Sequence, residues 1–192
     1  QLDEETLDLG TQASDVSLVL LAADGQTGVK GARVDLLKGG EGIERAGPKA
    51  STDESGRASF TVGPDAEHKL RVYWSGGTWV SPIVSAGDEV VVGLVPSSVT
   101  FTDPSGAGID SVRVDLLKAG GKRTGKWTRT GRTGSAGVAV FEVLPDQFEH
   151  TFRVGFNGGQ MTAPADEVTV GAGESRNEPI QAIRSEVVVT KM

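Results

Sequence analysis

Apolar and polar residues alternate in short runs along most of the chain. In ARVDLL, residues 32–37, alternate positions are apolar, and Arg33 and Asp35 fall between them. Successive side chains of a strand point to opposite faces, so this period of two predicts strands with one buried face. The inward positions predicted in this way are Ala32, Val34, Leu36, Ala58, Phe60, Val62, Leu70, Val72, Trp74, Val112, Val114, Leu116, Ala139, Phe141, Val143, Phe152, Val154 and Phe156.

Turn sequences separate these runs. The stretches ADGQTG, TDESG, SGG and NGG supply Gly for positive φ, and Asp or Asn for hydrogen bonds to their own backbone. No stretch has the pattern of a capped helix of three turns. About seven short strands in roughly 85 residues are typical of an antiparallel sandwich.

The chain contains two copies of one unit. GVKGARVDLLKGG from Gly28 matches GIDSVRVDLLKAG from Gly108, and TDESGRASFTVGPD from Thr52 matches TGSAGVAVFEVLPD from Thr133. From Gly28 to Gly77 the offset between matching residues stays between 80 and 82, which is the signature of a repeat. We therefore predict an all-β protein with two tandem antiparallel Ig-like β-sandwich domains, residues 14–95 and 96–184.

The sequence pattern of the junction between two units, in which the last strand of one unit continues into the first strand of the next, occurs three times in the sequence. Residues 7–19, LDLGTQASDVSLV, match residues 90–102, VVVGLVPSSVTFT, and residues 179–190, PIQAIRSEVVVT, match the later part of the same stretch. The expectation is an extra last strand in residues 1–13, with no domain before it, and a donor-like first strand in residues 185–192, with no domain after it. The candidate assembly residues are Ser185, Glu186, Val187, Val188, Val189 and Thr190, with Asp3, Glu4, Glu5, Leu7, Asp8 and Leu9 in the N-terminal segment.

Composition narrows the classes of function. The chain has no Cys, which excludes disulfides and thiolate metal sites, and no apolar run approaches the roughly 20 residues of a membrane helix. The net charge of −7 argues against general nucleic-acid binding. Residues 1–94 carry 8 basic and 15 acidic residues, whereas residues 95–192 carry 11 of each. Gln1 in place of an initiator Met is expected of a processed, exported chain or of an excised fragment.

The repeated pattern resembles the transthyretin-like, or prealbumin-like, Ig-fold repeats of bacterial surface proteins, a group related to carboxypeptidase regulatory-like domains and the B repeats of collagen adhesins. The resemblance implies a stalk, adhesin or fibre module more often than a catalyst. In the adhesin B repeats an internal Lys–Asn isopeptide bond often starts from the first strand. The first strands here, VSLVLLAAD and SVTFTD, contain no Lys, so that crosslink is not expected. The residues that carry the resemblance are Asp24-Gly25, Gly31 to Leu37, Thr52-Asp53, Gly56 to Phe60 and Pro64, with their partners in the second repeat.

No catalytic, metal or cofactor site is predicted. His68 and His150 each follow a Glu at the same place in the two repeats. Adjacent strand residues point to opposite faces, so Glu67 and His68 are poorly placed to chelate one ion, and a structural histidine at the mouth of the core is favoured. Nothing forms a nucleophile–base pair, and the acids of TDESG match no calcium loop.

Two stretches are candidates for contact with a ligand or partner. Tyr73 and Trp79 of YWSGGTW could stack on sugar rings, although aromatics mainly bury area in a core or at a subunit contact. The loop from Lys118 to Arg132 has six basic residues and no acidic one. It could bind an acidic polysaccharide or a nucleic acid, meet the acidic N-terminal segment of another molecule, or be a solvated hairpin. Its candidate contact residues are Lys122, Arg123, Lys126, Trp127 and Arg129.

Two functions remain open on the sequence. The first is a secreted structural subunit of a cell-surface fibre, stalk or adhesive appendage, which binds copies of itself head-to-tail by β-strand addition. The alternative is a carbohydrate-binding or adhesion module excised from a longer repeat protein, with a cell-surface polysaccharide as its partner. Neither function needs a cofactor, a specific nucleic acid or a membrane span, and both predict an extracellular or cell-surface location.

Overall fold

A computed structural model describes residues 13–38, 46–64, 66–103, 105–118, 129–145, 150–156, 159–163 and 175–179. Within these ranges the chain forms strands, turns and bends, and no helix. This confirms the predicted all-β fold class. Two compact units follow one another along the chain, with the main boundary between Leu94 and Val95.

The described residues of the first unit form seven short strands in two sheets. A three-stranded sheet has the order β4-β1-β7, and a four-stranded sheet has the order β3-β2-β5-β6. The strands are β1 (Ser14–Leu21), β2 (Arg33–Lys38), β3 (Ala46–Ser51), β4 (Arg57–Val62), β5 (His68–Trp74), β6 (Gly77–Val80) and β7 (Glu89–Gly93).

The second unit repeats this topology strand for strand. Its sheets have the orders β11-β8-β14 and β10-β9-β12-β13, which are the orders of the first unit displaced by seven strands. The two units are therefore two copies of one sandwich. The strands are β8 (Val95–Thr102), β9 (Arg113–Lys118), β10 (Thr130–Arg132), β11 (Val138–Val143), β12 (His150–Phe156), β13 (Gly159–Ala163) and β14 (Ser175–Pro179).

The core of each unit lies on the faces that the alternation predicts. In β4 the burial pattern alternates strictly, with Ala58, Phe60 and Val62 buried and the residues between them exposed. Each apolar side chain removed from water in this way contributes about 1.5–3 kcal/mol. Trp74 differs from the prediction because it is only half-buried, at the last position of β5 next to the turn. Val154 and Phe156 lie in β12, and their side chains are outside the described part.

A buried threonine ties the strands together in each unit. Thr52 Oγ1 donates to the carbonyl of Val29 at 2.5 Å and accepts from the backbone N–H of Ala32 at 2.9 Å. Thr133 repeats both hydrogen bonds in the second unit, to the carbonyl of Ile109 and from the N–H of Val112. The hydroxyl therefore satisfies one backbone donor and one acceptor that the loop before β2 or β9 leaves without a ladder partner.

Candidate functional site

The first and last strands of each unit lie side by side and run in the same direction. β1 pairs with β7 in parallel, and Leu18 lies opposite Val90. β8 pairs with β14 in parallel, and Phe101 lies opposite Glu178. In the sequence alignment Leu18 matches Phe101 and Val90 matches Glu178, so the register is the same in both units. The spacing of strands and turns predicts antiparallel sandwiches, and these two pairings are the parallel exceptions.

The first strands show which of their residues face the core. In β8 the side chains of Ser97, Val99 and Phe101 are buried and alternate with half-exposed ones. In β1 the equivalents Val16 and Leu18 are fully buried, whereas Ser14 is exposed. The position of Ser97 is therefore buried in β8, whereas the equivalent position in β1 is exposed, and β1 has its buried serine at Ser17 instead. The two apolar positions equivalent to Val99 and Phe101 are buried in both strands.

Both predicted assembly segments lie outside the described residues. Their places in the pattern can still be read from the strands they match. Val187 and Val189 match Val99 and Phe101, whose side chains are buried. Leu9 matches the buried Val92, and Asp8 matches Val91, whose side chain is 58% exposed.

Each four-stranded sheet carries a buried aspartate on the face away from the core. Asp35 is fully buried. It accepts hydrogen bonds from Nε and Nη2 of Arg33 at 2.8 and 2.7 Å, and Arg71 Nη2 lies 3.6 Å from its Oδ2. Burial raises the pKa of Asp35. The hydrogen bonds from Arg33 and the charges of Arg33, Arg71 and Lys49 lower the pKa by more than burial raises it, so the net pKa is below its usual value.

The second unit repeats this arrangement with one different partner. Asp115 accepts from Arg113 Nε at 3.2 Å and from Arg153 Nη2 at 2.5 Å. The hydroxyl of Thr130 also donates to Asp115, at 2.7 Å. Burial raises the pKa of Asp115, and the hydrogen bonds from Thr130, Arg153 and Arg113 lower it to a net value below the usual one. Sequence reasoning placed Asp35 on the outer face but missed its burial, although the recurrence of Arg-Val-Asp in both repeats was a signal.

The two aromatic candidates do not share a face. Two guanidinium carbons lie over the ring of Tyr73, that of Arg33 at 4.7 Å from the centroid and that of Arg71 at 5.4 Å. The Ser81 N–H donates to the Leu70 carbonyl, which sets Trp79 opposite Val72 on the core side of the sheet and Tyr73 on the outer side. Both aromatic side chains are half-buried. No platform made by these two rings together is available for a sugar.

The remaining predicted candidates are placed as follows. His68 is half-buried at the start of β5, shares its face with Leu70, and has an Nδ1 atom that is buried without a hydrogen-bond partner. Arg129 is exposed just before β10. Lys122, Arg123, Lys126 and Trp127 of the basic loop lie outside the described residues.

The turn aspartates are engaged by their own backbones. Asp53 Oδ1 accepts from the N–H groups of Ser55 and Arg57, at 2.8 and 3.0 Å, and Asp103 makes the equivalent bonds with Ser105 and Ala107. The hydroxyls of Ser55 and Ser105 also donate to these Oδ1 atoms, at 2.7 and 2.6 Å. These hydroxyl hydrogen bonds, together with the weaker effect of the backbone ones, lower the pKa of both carboxyl groups. In the described ranges no three acidic or histidine side chains group together as metal ligands, and no helix there is long and apolar enough to cross a membrane.

Comparisons with known proteins gave similarities among solved structures alone. No protein-family model matches the chain, and no curated protein matches its sequence. A minor pilin of Streptococcus agalactiae, GBS52, aligns with a TM-score of 0.41 and 12% identity over 93% of this chain and 100% of that one. The shaft pilin SpaA of Lactobacillus rhamnosus GG aligns with a TM-score of 0.34 and 10% identity over 91% and 100%. A streptococcal ancillary pilin aligns with a TM-score of 0.39 and 12% identity over 90% and 62%.

Proposed function

We propose that this protein is a structural subunit of an extracellular fibre, stalk or adhesive appendage, and that its molecules join head-to-tail by β-strand addition. In this proposal it is not an enzyme, and its main partner is a second copy of itself. The strand that is donated is Ser185–Thr190, and it lies beside the N-terminal segment of the adjoining molecule, at Leu7 to Leu9.

One observation carries the proposal: first and last strands of this sequence pair in parallel twice, in one register. The segment Ser185–Thr190 repeats the pattern of a first strand, and Leu7 to Leu9 repeat the pattern of a last strand. Applied to these segments, the register of β1 and β7 sets Val189 opposite Leu7. The strand pair of a unit would then be formed from two molecules.

Physical chemistry favours such a pairing over two separate strands. An extended segment without a neighbour exposes a row of backbone N–H and C=O groups, and pairing with a second strand satisfies them. It also allows Val187, Val189, Leu7 and Leu9 to bury their side chains on one face. Two strands alone bury too little apolar surface to be stable in water, so the pair must also pack on another surface of the two molecules. A contact between unlike ends does not close on itself and yields a filament.

The test changes the inward face of the donated strand. We expect Val187→Asp/Val189→Asp in the full chain to abolish filaments, because two carboxylates cannot be buried on the apolar face. Sedimentation velocity and negative-stain microscopy measure the assembly, and circular dichroism checks that both units remain folded. The matched control is Val188→Asp/Thr190→Asp, which adds the same two charges to the opposite face and should leave assembly intact.

Three results would contradict the proposal. They are a wild-type chain that stays monomeric at high concentration, an inward-face variant that still forms filaments, and a control variant that loses filaments equally. In the first case the carbohydrate-binding or adhesion module becomes the better account of the chain.

A further inference from the structure

The outer face of the four-stranded sheet in the first unit is strongly basic. Arg33 on β2, Lys49 on β3, and Lys69 and Arg71 on β5 lie on this face around Tyr73. The only acidic side chain among them in the sheet is Asp35, which is buried beneath the guanidinium groups. These four residues are half of the 8 basic residues in residues 1–94, a region with 15 acidic ones. We call this surface the basic face.

The register of the sheet sets the basic residues in rows. Lys49 and Arg71 lie opposite Asp35 from the two neighbouring strands, and Lys69 lies opposite Leu37. Lys69, Arg71 and Tyr73 follow one another at alternate positions of β5, a spacing of about 7 Å along the strand. Glu67, exposed just before β5, bounds the face at one end.

What this face offers to a partner is positive charge rather than a bare aromatic ring. Arg33 and Arg71 both lie over the ring of Tyr73, so stacking of a neutral sugar would have to displace them. Arg33 donates two of its five N–H groups to Asp35, and the Arg33 side chain is 45% exposed. The remaining donors of Arg33 and the exposed Lys49, together with the positive charge of Lys69, suit a partner with several carboxylates.

The second unit does not have such a face. The residue opposite Asp115 on β10 is Thr130, where the first unit has Lys49. Thr151 and Gly155 occupy the positions of Lys69 and Tyr73. The buried aspartate and its arginines therefore belong to the shared sandwich, whereas the lysines and the tyrosine are particular to the first unit. A structural role common to both units does not explain them.

We propose that the basic face binds the acidic segment Asp3 to Asp8 of a second molecule of this chain. The segment carries Asp3, Glu4, Glu5 and Asp8, and the chain has no basic residue before Lys30. In an extended segment Asp3 and Glu5 have the same spacing of about 7 Å as Lys69 and Arg71. Two carboxylates can thus meet two cations, and Leu7 stays available for the strand pair. This inference rests on the self-association proposed above, for which it names a second contact, but it does not depend on the donated strand.

Zero-length crosslinking of the full chain locates the contact. An equimolar mixture of ¹⁴N- and ¹⁵N-labelled protein is treated with a water-soluble carbodiimide, which joins an amine to a carboxylate only when the two are in ion-pair contact. Mass spectrometry should find Lys49 or Lys69 joined to Asp3, Glu4, Glu5 or Asp8, with mixed isotopes. Raising the salt from 20 to 300 mM should lower the yield several-fold, since the Debye length falls from about 20 Å to about 6 Å. Crosslinks of a single isotope, or none to these lysines, would overturn the inference.

A pair of variants separates this contact from the overall charge. Lys49→Thr/Lys69→Thr gives both positions the residue type of the second unit and leaves the arginines on Asp35. We expect it to raise the dissociation constant for self-association by about tenfold, which corresponds to about 1.4 kcal/mol. Lys122→Thr/Lys126→Thr removes two charges from the basic loop and should change the constant by less than about threefold. Equal effects of the two variants would overturn the assignment to the basic face.

Different experimental results would contradict the proposed strand donation and the proposed contact at the basic face. If Val187→Asp/Val189→Asp abolishes filaments but mixed-isotope crosslinks to Lys49 or Lys69 persist, both stand as independent contacts. If the wild-type protein forms no filament and the crosslinks persist, the inference stands and the proposed assembly falls. If filaments form without these crosslinks, the inference alone is wrong.

Discussion

At the scale of single residues, Asp35 and Asp115 show how a carboxylate can be buried on the outer side of a sandwich. Asp35 has no exposed surface, and arginines from its own strand and from the neighbouring strand supply the opposite charge. The arginines remain partly exposed, so the cluster keeps contact with water. A buried carboxylate with such partners is stable as an anion.

This arrangement predicts a loss of stability in acid. The folded-state pKa values of Asp35 and Asp115 are below their usual value, so the stability they contribute is complete above the unfolded-state pKa of about 3.9 and is lost as the pH falls through the folded-state pKa. At pH 7, Asp35→Asn should lower the free energy of unfolding by about 1–3 kcal/mol, because hydrogen bonds to a charged group are lost. The difference from wild type should shrink below about pH 4.

Urea unfolding at pH 7, 5 and 3 measures this effect. Glu54→Gln is the matched control, since Glu54 forms an exposed ion pair with Lys30 and such pairs contribute little. A difference between Asp35→Asn and wild type that stays constant from pH 7 to pH 3 would show that the charge of Asp35 is not the cause.

Burial of Asp35 could not be predicted from the alternation of its own strand. Period two assigns a face, and the assignment of Asp35 to the outer face was right. Whether an outer residue is covered depends on side chains from other strands, here Arg71 of β5. The pairing of β2 with β5 had to be known before those arginines could be placed over the carboxylate.

At the scale of strands, the inward positions were predicted well because each sheet has one face on the core. Of the predicted positions whose side chains are described, all are buried except Trp74. The direction of pairing was not predictable in the same way. Alternation is identical in parallel and antiparallel strands, so nothing in Glu89–Gly93 indicated that β7 runs parallel to β1.

The turn between β3 and β4 approaches β1 closely at Gly56, and this contact gives a second prediction. Gly56 has φ of 80°, and a Cβ there would lie 2.2 Å from the Leu20 carbonyl oxygen. Gly25 has a similar φ of 70°, but nothing lies within 4 Å of its Cβ position. We expect Gly56→Ala to lower the free energy of unfolding by about 3 kcal/mol or more, and Gly25→Ala by about 1 kcal/mol, from the positive φ alone.

Chemical denaturation of the two variants side by side checks this expectation. The same difference should appear in the second unit, where Gly137 has φ of 76° and its Cβ would meet the Phe101 carbonyl oxygen at 2.2 Å. Equal losses for Gly56→Ala and Gly25→Ala would mean that β1 and the β3–β4 turn can move apart.

At the scale of the whole molecule, one sequence pattern has produced two sandwiches with different surfaces. The core positions and the buried threonines recur in both units, because they hold the sheets together. Lys49, Lys69 and Tyr73 on the outer face do not recur. Residues that recur in both units are those that the fold requires. The fold does not require Lys49, Lys69 and Tyr73, so these residues of the basic face can serve a function particular to the first unit.

The two cores predict two separable unfolding events. Leu70 on β5 and Phe152 on β12 are equivalent, fully buried positions of the two units. Phe152 also packs on Phe141, with 5.7 Å between ring centroids. Truncation to Ala leaves a cavity and costs about 2–5 kcal/mol at the leucine and about 3–5 kcal/mol at the phenylalanine. Because each side chain belongs to one core, Leu70→Ala should lower the transition temperature of the first unit alone, and Phe152→Ala that of the second.

Differential scanning calorimetry of the full chain resolves the two transitions when they differ in temperature, and the single variants separate them when they do not. In the double variant the two losses should add within about 0.5 kcal/mol, as expected for sites that share no partners. A single transition that moves as one in both variants would instead mean that the units unfold cooperatively. The cores would then be coupled, and a lesion in either unit would be expected to weaken assembly as much as the loss of the donated strand.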